Sequence, residues 1–151
     1  MTPKLAHRFA DYMQYHQTPG NKVTHYIGIP LIVISLLGLL SRVTFGAEAF
    51  HESILRPDLG WVMWALASIY YLYLDWKLAL PFSLVLVGCY LIGRSLPLEA
   101  QIILQVIGWI SQYVGHLKYE KKNPAFYQNI MQTLIGPLWV FARMIRYTEK
   151  R

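Results

Sequence analysis

The sequence predicts an all-α integral membrane bundle. It comprises about four transmembrane helices, an amphipathic helix before them and a re-entrant or interfacial helix after them, in one domain over residues 1–151. Three observations predict it. Hydrophobic residues make up 55% of the chain and charged residues 15%, where a soluble domain carries about 25% charged. The missing charge is concentrated: residues 23–41, 59–74, 78–93, 100–117 and 123–142 contain no Asp, Glu, Lys or Arg. The cations that remain then sort to one side of the bundle, as topology demands of membrane proteins.

The elements follow in order. Leu5, Phe9, Tyr12 and His16 form one stripe of a helix over residues 3–17, with His7, Asp11 and Gln14 on the other face; such a helix can lie on a membrane surface. Pro19-Gly20 ends it, and Asn21 is placed to cap the first span. A crossing takes roughly 20 apolar residues. The first and fourth windows, at 19 and 18 residues, fit directly; the second and third, at 16 each, cross as short helices or with flanking side chains snorkelling. The fifth window holds Asn129, Gln132 and Gly136-Pro137 and is less apolar. A soluble bundle would leave four nearly uncharged helices with too little polar surface to cover them.

With four spans, eleven Lys and Arg fall on the side of the termini and three on the other; a fifth full crossing would make it seven against seven. The final segment is therefore expected to turn back, and the termini to face the cytoplasm. The polar first 22 residues read as no secretory signal. The net charge of +6 does not indicate nucleic acid, because the basic residues sit at span ends rather than in one soluble patch. Lys118, Lys121 and Lys122 suit membrane lipid headgroups. Trp61, Trp64, Tyr70, Tyr71, Tyr73, Trp76, Trp109, Tyr113 and Tyr119 read as an interfacial belt and packing. Asp75 reads as a loop charge paired with Lys77. Cys89, the single cysteine, lies in a span and forms no internal disulfide.

The histidines carry the chemistry. His25 opens span one and His116 closes span four, on one side. His16 lies just before span one, and Glu120 follows His116 by four residues on one helical face. Three imidazoles and a carboxylate thus meet at one membrane depth, whereas His51 lies in the opposite loop and His7 points off the polar face. Such a set suits a first-row transition metal; iron with open positions serves O₂ chemistry and zinc serves hydrolysis. Each residue also has a plain reading: His25 as an interface side chain, His16 as a packed ring, His116–Glu120 as an i,i+4 pair and Asn21 as a cap.

Two stretches resemble the signatures of the Mpo-type 2-hydroxy fatty acid dioxygenases, a family of small membrane proteins. The first, YHQTPGNKVTHYIGIP, supplies His16, Pro19, Asn21 and His25. The second, GWISQYVGHLKYEKKNPAF, supplies Trp109, Gly115, His116, Glu120, Pro124 and Ala125. The resemblance implies an Fe(II)-dependent membrane oxygenase of α-oxidation, in which a 2-hydroxy fatty acid reacts with O₂, releases CO₂ and leaves a fatty acid one carbon shorter. It implies His16, His25 and His116 as ligands and Glu120 as fourth ligand or outer support. Asn21 would orient an imidazole, and Lys22 or Lys121 would lie near the substrate head group. The short termini and the lack of a retention signal favour a bacterial inner membrane over the endoplasmic reticulum. Two other readings compete: a non-enzymatic lipid-binding or assembly membrane protein without metal, and a zinc-dependent lipid hydrolase on the same ligands.

Overall fold

The computed structural model describes residues 1–45, 56–124, 127 and 129–147. Helix α1 spans Pro3–Met13, α2 Pro19–Leu40, α3 Leu59–Ser95, α4 Leu98–Val114 and α5 Gln132–Met144; among the described residues no strand forms. The all-helical expectation holds. α2 and α3 are each long and apolar enough to cross a membrane, and large apolar side chains stand exposed on outer faces, among them Ile69, Leu84, Ile103 and Ile110. Surfaces of that kind need an apolar environment or a partner.

α3 is a folded-back pair. Backbone geometry leaves the helix at Asp75 (φ −162°, ψ 101°), and the two arms run antiparallel. The Trp64 indole donates to the Ser83 carbonyl at 3.0 Å, and the Tyr71 and Phe82 rings lie 5.3 Å apart. Asp75 is not the loop charge expected. It is buried and accepts from the backbone N–H of Thr2 at 2.8 Å and of Lys77 at 3.1 Å. The Tyr147 hydroxyl donates to it as well. The Lys77 ammonium lies over the Trp76 ring instead. One carboxylate thus caps the second arm and ties both ends of the described chain to the hairpin turn. Several donors thus replace the water that so deeply buried a carboxylate gives up.

α1 stops at Met13, shorter than the stripe suggested, and Leu5, Phe9 and Tyr12 are buried against α3 and α5 rather than turned to a membrane. Pro19 does not so much end α1 as begin α2. Thr18 is the N-cap, Pro19 occupies the first helical turn, and Asn21 lies inside the helix, the arrangement that suits a residue lacking an N–H. α2 packs on α4 most extensively of all pairs. Glycines set that closeness: a Cβ on Gly108 would fall 2.6 Å from Ile32 Cγ1. α5 threads back along the bundle. Its Leu134 carbonyl accepts from Tyr71 at 2.8 Å, Trp139 packs on Tyr12, Phe141 on Phe82, and Tyr147 reaches Asp75.

Candidate metal centre

His16 and His25 are aimed at each other by their own backbones. His16 Nδ1 lies 2.7 Å from the Tyr12 carbonyl, and His25 Nδ1 lies 2.9 Å from the Asn21 carbonyl, each four residues earlier. A carbonyl oxygen can only accept, so each Nδ1 carries the proton and each Nε2 presents a lone pair. These two Nε2 atoms are 3.0 Å apart. Two lone pairs facing at that distance repel unless a cation lies between them. Burial pushes His16 down to about 4, against the pull of the Tyr12 carbonyl, so near neutral pH a proton does not supply that cation. His116 completes the group, its ring centroid 4.8 Å from that of His16 and 4.9 Å from that of His25. One ligand nitrogen from each ring lies within 4.8 Å of the others, and all three residues are buried. His116 Nδ1 has no hydrogen-bond partner, which is rare for a buried polar atom. The donor set therefore fits a transition metal: neutral imidazoles suit iron, zinc, copper or nickel, and backbone carbonyls fix the tautomer of two of them.

The second signature stretch is built to bring His116 there. After Val114 the helix loosens to a π-helical turn over Gly115–Glu120, a local form frequent at functional sites. It closes at Lys121, which adopts the left-handed conformation (φ 54°) with its N–H on the His116 carbonyl. The wider turn separates the work of His116 from that of Glu120. Glu120 Oε1 accepts from the Thr18 N–H at 2.7 Å, the Thr18 hydroxyl at 3.1 Å and Asn21 Nδ2 at 3.2 Å. Burial alone would raise the Glu120 carboxyl; these donors overcome it and hold the group below its usual range. Asn21 Nδ2 also donates to the Tyr15 carbonyl at 3.1 Å. Asn21 is thus a strut rather than the expected cap. Together Glu120 and Asn21 clamp the start of α2, and with it the Asn21 carbonyl that orients His25.

Glu120→Gln tests this arrangement. Outer partners of metal-bound histidines typically contribute 10–100-fold in metal affinity. A loss within that range is expected, read by competition with a coloured chelator. An effect equal to that of losing a histidine would make Glu120 a ligand.

A cavity of about 500 Å³ opens from the histidines into the bundle between α2, α3, α4 and α5. Its walls are almost wholly apolar, from Ile29 and Val33 to Leu37 on α2 and to Met63 on α3. His25 to Leu37 is twelve residues of helix, or roughly 18 Å of depth. Trp64, Tyr71 and Trp109, read from the sequence as belt and packing, line this cavity, because the stripe of α3 and α4 that carries them faces inward. Tyr73 and Trp76 are exposed, as a belt requires. Lys22 and Lys121 do not line the cavity; Lys121 borders a separate surface hollow with Tyr15, Leu117 and Lys122. His7 is exposed and pairs with Asp11 at 3.5 Å. His51 and Ala125 lie outside the described residues. Sequence reasoning missed the aromatic support of His16. Tyr12 stacks on it with centroids 3.8 Å apart, and Trp139 lies 6.2 Å away. The i−4 spacing of Tyr12 was visible; the contribution of Trp139 from a distant helix was not.

The family described as 2-hydroxy-palmitic acid dioxygenase Mpo1-like matches residues 2–148. The chain is 36% identical over 128 residues to the 2-hydroxy-palmitic acid dioxygenase MPO1 of Saccharomyces cerevisiae, an alignment covering 82% of this chain and 69% of the yeast protein. No solved structure matches.

Proposed function

The chain belongs to the Mpo1-like 2-hydroxy-palmitic acid dioxygenase family, and from that premise we propose that it is a membrane-embedded, Fe(II)-dependent dioxygenase of 2-hydroxy fatty acids. His16, His25 and His116 hold the metal. The observation that carries this reading is the pair of facing Nε2 atoms 3.0 Å apart at the mouth of an apolar cavity. Bound there, iron would supply open positions at which the carboxylate and hydroxyl of a 2-hydroxy acid and O₂ can meet. The reaction balances without another reductant: a 2-hydroxy acid and O₂ give CO₂, water and the acid one carbon shorter.

The residues of the chain do the remaining work. The Tyr12 and Asn21 carbonyls fix the imidazoles, and Glu120 holds the segment that presents them. The cavity walls take the acyl chain and exclude water from the reacting end. In the membrane, α2, the two arms of α3 and α4 make four crossings, and α5 is re-entrant. The contact of Tyr147, just beyond α5, with Asp75 and the exposed Lys118, Lys121 and Lys122 near the histidines support placing both termini and the metal on the cytoplasmic side. Lipid headgroups then meet those lysines.

The test is metal analysis of protein purified anaerobically in detergent, followed by 2-hydroxypalmitate with and without O₂. Near-stoichiometric iron and O₂-dependent formation of pentadecanoate are expected, with one O₂ consumed per acid. Tight zinc and O₂-independent hydrolysis of lipid esters would replace the reading with a hydrolase. Failure to load any metal would leave a lipid-binding protein.

A further inference from the structure

The inward stripe of α4 carries three buried or half-buried glutamines. Two of them are satisfied. Gln101 donates to the Gly93 carbonyl at 2.8 Å and accepts from Arg42 at 2.6 Å. Gln105 meets the Ser35 hydroxyl at 2.6 Å. The third, Gln112, is 5% exposed and its Nε2 has no partner. A buried amide left unpaired is costly to stability, so its presence in so apolar a bundle asks for a ligand. Its position says which one. Gln112 lines the cavity together with the three histidines. It precedes His116 by four residues, on the same face and roughly 6 Å along the axis. The facing helix makes room for it: a Cβ on Gly28 would fall 2.4 Å from Nε2, so α2 carries a glycine where this amide lies. A second unpaired atom, Gln132 Oε1, belongs to the same cavity from α5. Two amide side chains that line the cavity thus each carry an unpaired atom, a donor on Gln112 and an acceptor on Gln132, the pair of functions that the carboxylate and hydroxyl of a 2-hydroxy acid would match.

Resting on the function proposed above, we propose that Gln112 is a substrate-binding residue whose side-chain amide donates a hydrogen bond to the substrate carboxylate. It orients the head group toward the histidines and makes the site select acids over other long-chain amphiphiles. Without it the carboxylate would enter an apolar wall with only the metal to receive it, a poor exchange for the water it leaves.

The experiment measures displacement of a fluorescent fatty acid from metal-loaded protein by 2-hydroxypalmitate and by 1-hexadecanol, in wild type, Gln112→Leu and Gln112→Glu. Wild type is expected to prefer the acid. Gln112→Leu is expected to weaken the acid about tenfold or more, and Gln112→Glu, by charge repulsion, further. Both variants should hold hexadecanol and metal as wild type does, which also shows that they are folded. Equal weakening of acid and alcohol, or no weakening of either, would overturn the proposal and leave Gln112 as packing. Loss of metal would overturn it too and make Gln112 a support of His116. A wild type that loads metal yet shows no preference for the acid would sink the underlying reading and this inference together.

Discussion

His116→Ala is expected to leave the protein with little bound metal and with activity reduced by at least about 100-fold, some 2.7 kcal/mol of transition-state stabilisation. The expectation follows from the donor count. His16 and His25 alone offer two nitrogens; the third comes from the opposite end of the sequence and closes the set within 4.8 Å. Outer-shell partners of metal ligands already contribute 10–100-fold, so a ligand should exceed them. The folding effect should be smaller than the functional one. Losing the ring removes buried contacts with His16 and His25, but it also removes a buried nitrogen that has no hydrogen-bond partner. Metal-free wild type and variant should therefore melt within a few degrees of one another, while added Fe(II) raises the melting temperature of wild type alone. A variant that kept stoichiometric iron and half the activity would remove His116 from the centre.

Much of this arrangement could be read before any coordinates. The charge-free windows placed α2, both arms of α3 and α4. The three histidines border those windows at ends expected to lie on one side, and they do come together. What failed to show was decided by residues distant in sequence. Leu-Asp-Trp-Lys reads as an ordinary turn with its own ion pair. Only Thr2 and Tyr147, more than 70 positions away on either side, make Asp75 a buried hub. Asn21 looked like a cap because the apolar run starts near it. Thr18-Pro19, a cap followed by a proline in the first turn, was the better start signal, and it frees Asn21 to bridge Tyr15 and Glu120. The aromatic residues were read by type rather than by face. Trp64, Tyr71 and Trp109 share inward stripes, and the cavity they line forms only once α5 folds back against α3. The π-helical turn has no sequence rule behind it. An α-helical spacing put His116 and Glu120 on one face, whereas the looser turn sends the imidazole to the histidines and the carboxylate to Thr18.

Gly115→Ala is the smallest substitution with a large expected effect. A Cβ there would lie 2.3 Å from both Asn21 Oδ1 and Thr24 Oγ1, and 3.2 Å from His25 Cε1. Neither polar atom is free to swing away. Asn21 is held through Nδ2 by Tyr15 and Glu120, and the Thr24 hydroxyl donates to the Asn21 carbonyl at 2.7 Å. The backbone must yield instead, moving the π-helical turn off α2 by something on the order of 1 Å. A displacement of that size at a reacting centre costs about 100-fold in rate, and overpacking a tight contact costs about 1–3 kcal/mol in stability. Because His116 directly follows Gly115, the methyl group should reduce metal affinity and turnover together, with a measurable fall in melting temperature. Thr24→Ala in the same chain removes one of the two clashing atoms. The double variant should recover part of both losses, a coupling that independent sites would not give. Full activity and an unchanged melting temperature in Gly115→Ala would mean that α2 and α4 adapt without disturbing the donor set. The glycine would then owe its place to something other than the approach of the two helices.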